Sequence, residues 1–200
     1  MATLIRRKLW ILGSIAFMIV LTVASQAQVK RVDLTLSGFL CNNECRFEID
    51  RALKPFADDL TAETSFEKRR VTLTPKEGVL LQLWDIRSQL QGIDRSPVRI
   101  TVLAVGEIED YSVAYPNTHL HTRKALVVRE NGLTFMLQEG PMLDELLAFA
   151  KTQPDGKVAI LGEVPAFSAK HQPILVIRGF KASKAQWTEE EINPPPKKKA

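Results

Sequence analysis

Residues 29–53 read VKRVDLTLSGFLCNNECRFEIDRAL, and the two halves of that stretch follow different periods. In the first half Val32, Leu34 and Leu36 alternate with polar residues, the period of a strand buried on one face. Gly38 ends it. In the second half Ile49, Ala52, Leu53 and Phe56 recur at helical spacing with charges between them, which predicts an amphipathic helix over about residues 43–57. Cys45 lies four residues before Ile49 and shares its face. Cys41 and Cys45, the only two cysteines, therefore sit where a strand hands over to a helix.

Residues 61–66 and 69–74 have strand composition, with Val71 and Leu73 alternating, before Pro75-Lys76-Glu77-Gly78 breaks the chain. Val79, Leu83, Ile86 and Leu90 predict a second helix closed by Gly92, and Val98, Ile100 and Val102 a further strand. The order is β-α-β-β-α-β, a ferredoxin-like sandwich of two helices on one face of an antiparallel sheet.

The second half follows another rule. Residues 125–130 and 133–138 flank Asn131-Gly132, a hairpin signal because both turn positions must take φ > 0. Gly140-Pro141 opens a helix with Leu143, Leu146, Leu147 and Ala150 inward and with Asp144 and Glu145 near its positive end. Pro154-Asp155-Gly156 turns the chain into strands over 157–164 and 174–180, separated by a loop at 165–173. With 99–105 as first strand, the order β-β-β-α-β-β resembles the OB-fold, a small five-stranded barrel with one helix. The expected class is thus α+β: a unit at 29–97, an OB-like unit at 98–182, and a polar, proline-ended tail at 183–200 read as disordered. The strand around Ile100 is claimed by both units.

The chain begins with a leader pattern. Arg6, Arg7 and Lys8 precede a charge-free apolar run to about Ala24, and Ser25-Gln26-Ala27 supplies small residues for cleavage before Gln28. The run is shorter than the ~20 residues of a spanning helix. Residues 1–27 therefore read as a signal peptide, or an uncleaved anchor, for a periplasmic or secreted protein. Of 27 Lys+Arg against 23 Asp+Glu, the leader holds three cations and no anion, so 24 cations face 23 anions beyond it. Lys197, Lys198 and Lys199 lie in the tail, which leaves the body slightly acidic. A general attraction for nucleic acid or anionic lipid is not expected.

The segment Gly38-Phe39-Leu40-Cys41-Asn42-Asn43-Glu44-Cys45 with Ile49, Ala52 and Leu53 resembles the heavy-metal-associated domain of copper chaperones and metal-transporting ATPases. In that family the helix carries apolar residues four, seven and eight positions after the second cysteine, where Ile49, Ala52 and Leu53 stand, and the β-α-β-β-α-β order over 29–103 agrees with the family's fold. Phe39 replaces the family's methionine, and three residues separate the cysteines where the family has two. The resemblance implies a metal site at Cys41 and Cys45 for a soft ion such as Cu(I), which two thiolates select. In an oxidising compartment the same pair can form a disulfide, and closing so short a loop contributes only about 2 kcal/mol. Redox chemistry is a third use of the pair.

Weaker candidates lie in the polar stretch 109–124. His119 and His121 alternate and could join His171 at a metal, although solvated loop histidines are commoner. Tyr111 and Tyr115 beside Arg123 and Lys124 could line a ligand face of the OB-like unit. Trp84 reads as a residue at the edge of the core. No nucleophile elbow, phosphate loop or His-Glu-x-x-His pattern occurs, so no enzyme is expected. Two functions follow: an exported carrier of a soft metal ion, or an envelope binding or adaptor module whose OB-like surface recognises a protein or polymer, with the cysteines as a disulfide.

Overall fold

The computed structural model describes residues 27–38, 43–113, 121–165 and 172–195. In the first half these form β1 (Val29–Leu36), α1 (Asn43–Leu53), β2 (Leu60–Ser65), β3 (Arg70–Pro75) and α2 (Leu83–Gln91). The long β4 (Pro97–Val113) leads into β5 (His121–Val128), β6 (Leu133–Leu137), α3 (Pro141–Ala150), β7 (Lys157–Glu163), β8 (Ile174–Ala182) and a final short α4 (Glu189–Ile192). The architecture is mixed α+β on one eight-stranded sheet, in the order β2-β3-β1-β4-β5-β6-β8-β7.

Strand β1 lies between β3 and β4, antiparallel to both. Its Val32 and Leu34 are buried with Ile49 and Leu53 of α1 and Ile86 and Leu90 of α2. Full burial of each such side chain stabilises by about 1.5–3 kcal/mol. Helix α1 tightens into a single 3-10 turn at Lys54–Phe56, where Pro55 supplies no N–H.

Strand β4 joins the halves. Its residues 97–104 pair with β1 along one edge, and 101–107 pair with β7 along the other. Beyond the end of β1, residues 107–113 take β5 as partner. The handover falls at Gly106, where an added Cβ would stand 2.5 Å from the Val127 carbonyl oxygen and 2.9 Å from Leu126 Cδ1. Only glycine admits so close an approach. Because β6 runs parallel to β8 and β7 returns to β4, the strands β4-β5-β6-β8-β7 close into a ring. A single apolar cluster runs from Val32, Ile49 and Leu73 to Phe135, Leu146 and Ile160.

Four segments differ from the sequence expectations. Helix α2 starts at Leu83 rather than Val79, because Asn131 takes the preceding backbone: its Nδ2 donates to the Val79 carbonyl and its own carbonyl accepts from Leu81 N–H. The polar stretch expected as loop continues β4 to Val113 and starts β5 at His121. Its cross-strand pairs are polar, as in Asp110 opposite Lys124 and Ser112 opposite Thr122, so no apolar alternation marks it. The Asn131-Gly132 turn is a 3-10 turn over Arg129–Asn131 in which only Gly132 takes positive φ, at 61°. The stretch expected as a disordered tail is ordered as far as residue 195 and carries α4.

Candidate functional site

Cys45 lies in the first turn of α1, fully buried and disulfide-bonded. The sequence holds one other cysteine, Cys41, which lies outside the described residues. After α2 the chain brings Arg95 to Cys45. Its Nη2 is 3.4 Å from Cys45 Sγ and 3.2 Å from Glu48 Oε2, while its Nη1 is 3.0 Å from where a Cβ on Gly38 would stand. One guanidinium thus contacts the sulfur and Glu48 on the outer side of α1 and lies close to Gly38. Nothing in the sequence pattern links Arg95 to the cysteines, since 50 residues separate it from Cys45.

Among the described residues no group of three or more His, Cys, Asp or Glu side chains could hold a metal. His121 is exposed at the start of β5, and His119, His171 and Tyr115 lie outside the described residues. The structure brings Tyr111 and Arg123 to directly paired positions of β4 and β5. Lys124 is engaged by Asp110 at 2.7 Å. Trp84 is half-buried on α2, with Arg87 5.9 Å from its ring. No helix among the described residues is long and apolar enough to cross a membrane.

A second cluster, unforeseen in the sequence, forms on the face of β1 and β3 that points away from α1 and α2. The pleat puts Arg31, Asp33, Arg70 and Thr72 there. Asp33 is 2 % exposed: its Oδ1 accepts from Arg31 Nε at 2.9 Å and Thr72 Oγ1 at 2.7 Å, and its Oδ2 accepts from Asn193 Nδ2 at 2.8 Å. Glu189, in the first turn of α4, accepts from Arg31 Nη1 at 2.7 Å and from Arg70 Nη2, with Lys68 Nζ 3.7 Å away. Partial burial raises the pKa of this carboxyl, but hydrogen bonds from Arg31 and Arg70, and their charges, outweigh it and hold the pKa at about 2. Ile192 is buried beneath the turn. Thr188 caps it, with Thr188 Oγ1 accepting from Glu191 N–H and Glu191 Oε2 from Thr188 N–H. That Thr-x-x-Glu spacing is a legible helix-start signal. The cations it meets are distributed over 40 residues and have no sequence signature.

No family model, curated protein or solved structure matches the chain.

Proposed function

We propose that this chain is an exported, non-enzymatic recognition protein of the cell envelope. In this reading a ferredoxin-like unit at 29–97, with Cys41 and Cys45 as a disulfide, is the scaffold, and an OB-like barrel at 98–182 carries the surface that binds a protein or polymer. The observation that carries it is the ring β4-β5-β6-β8-β7, with its parallel β6–β8 pair and with α3 between the third and fourth strands. Small barrels of this kind present a strand face to extended ligands. Tyr111 beside Arg123 supplies a ring and a cation on that surface, the combination that stacks and neutralises polymeric partners. The burial and bonded state of Cys45 support the scaffold role of the disulfide.

The test is affinity capture from envelope extract with the full chain. A specific partner should be retained by wild type and by Cys41→Ser/Cys45→Ser, and lost from Tyr111→Ala/Arg123→Glu. Retention by the barrel-face variant with loss from the cysteine variant would reverse the assignment.

A second reading, carriage of a soft metal ion such as Cu(I) by Cys41 and Cys45, is favoured by Arg95. A guanidinium 3.4 Å from Sγ, at the start of a helix, stabilises a thiolate over a thiol once the bond is reduced. Reduced protein should then hold Cu(I) against a colorimetric chelator, with retention collapsing in either Cys41→Ser or Cys45→Ser. Equal, weak retention by wild type and both variants would sink this reading.

A further inference from the structure

The cluster around Glu189 has the composition of a ligand site with a ligand in it. Arg31 comes from β1, Arg70 from β3 and Lys68 from the turn before it, and all three converge on one carboxylate. Without α4 they face only Asp33, already engaged by Arg31 and Thr72, and Glu63 at the rim, so the face is cationic. The 188–193 segment fills it incompletely. A cavity of about 390 Å³ borders Glu189, lined also by Thr64, Lys68 and Arg70. Arg70 Nε is buried beside it, 3.8 Å from Asp33 Oδ1 and without a hydrogen bond, and Arg70 itself is only 8 % exposed. A buried guanidinium nitrogen that lacks a hydrogen bond beside a charged cavity points to a further oxygen atom that the tail does not supply.

The tail is held mainly by polar contacts. Helix α4 is a single turn, reached through residues 183–188, most of them exposed. Its attachments beyond Glu189 are Ile192, the Asn193–Asp33 bond, the Arg178 bond to the Ile192 carbonyl, the Lys181–Glu191 pair, the Lys181 bond to the Gln186 carbonyl, the Ser183–Asp155 bond and Trp187 against Lys181 and Gly179. A tether this short sustains an effective concentration on the order of millimolar, so a weakly bound segment stays seated. A free segment of the same chemistry must displace it.

We propose that the Arg31–Lys68–Arg70 face is a docking site for an acidic peptide segment of a partner protein, occupied in cis by residues 188–193. The preferred ligand carries neighbouring carboxylates, one in the place of Glu189 and a second reaching Lys68 and Arg70. The site lies on β1 and β3, apart from the barrel face, and stands or falls independently of the reading above.

The experiment uses the full chain and a fluorescein-labelled peptide with the sequence of residues 186–194, QWTEEEINP. Glu189→Arg places a cation against Arg31 and Arg70 and should release the tail, seen as faster tryptic cleavage after Lys184. Fluorescence anisotropy should then show at least roughly tenfold tighter peptide binding by Glu189→Arg than by wild type, the margin a tethered competitor confers. Adding Lys68→Glu, at an exposed position that leaves the fold intact, should remove most of that gain. So should replacing the peptide glutamate that corresponds to Glu189 by glutamine. Equal binding by wild type and Glu189→Arg, no loss with the glutamine peptide, or a tail still protected in Glu189→Arg would each overturn the proposal. So would a single-stranded oligonucleotide of matched charge binding as tightly as the peptide.

Discussion

Asn131 is 1 % exposed although it stands in a turn, and each of its polar groups is committed to a different segment. Its Oδ1 accepts from Val29 N–H at 2.6 Å, where β1 begins, and its Nδ2 donates to the Val79 carbonyl at 2.7 Å, ahead of α2. Asn131→Ala leaves a buried donor and a shielded carbonyl without partners, which should cost roughly 2–4 kcal/mol. Urea denaturation checks this. A loss below about 1 kcal/mol, the range of an ordinary turn substitution, would show the clamp to be dispensable. Glu189 yields a pH prediction. Its pKa, ordinarily 4.5, is held at about 2 in the fold, so the docked turn has its full stabilisation above pH 4.5 and loses it as pH falls toward 2. The charged groups facing it are Arg31, Arg70, Lys68 and Asp33. The Trp187 indole resonance should therefore report release of the turn centred well below pH 4. A midpoint near 4.5 would mean that the guanidinium contacts do not hold the carboxylate.

Among the elements β4 is the most demanding, because it serves β1, β7 and β5 in succession. Gly106 marks the handover. Gly106→Ala forces a methyl group against the Val127 carbonyl, and overpacking of this kind costs about 1–3 kcal/mol. Amide exchange should accelerate first in β5, whose pairing with β4 starts at Glu107–Val127. Unchanged exchange in β5 would show that β4 absorbs the methyl elsewhere. Elements with an apolar period were legible: β1, α1, β3, the later part of α2 and α3 follow their periodic residues, and the Pro154-Asp155-Gly156 turn and the following loop set off β7 and β8. The 110–112 and 122–124 part of the β4–β5 ladder was not, because its facing pairs Asp110–Lys124, Tyr111–Arg123 and Ser112–Thr122 are polar and leave no apolar alternation.

At the scale of the molecule, the apolar cluster and β4 are common to the two halves. Heat or urea should therefore unfold the chain in one transition, with far-UV circular dichroism and tryptophan fluorescence superimposing. Two separated transitions would mean that the cluster divides at β4. Reducing the disulfide should lower that single midpoint only slightly, since a five-residue loop accounts for about 2 kcal/mol in the chain-entropy model.

Local order was determined by the sequence alone: the alternation in β1, the helical face of Ile49 and Leu53 and the proline-led start of α3 are each encoded within a few neighbouring residues. The pairing of β6 with β8, the closure of β7 on β4, the seat of Arg95 at Cys45 and the meeting of Glu189 with Arg31 and Arg70 were decided only by the tertiary structure. The physical reason is separation along the chain. A period records which face of an element is apolar, whereas a polar side chain such as Asp33 or Asn131 looks solvent-facing in any local window. Segments distant in the chain, such as the one that brings Asn193 to Asp33 across 160 residues or Val79 to Asn131 across 52, help bury it and add partners that its neighbours do not supply.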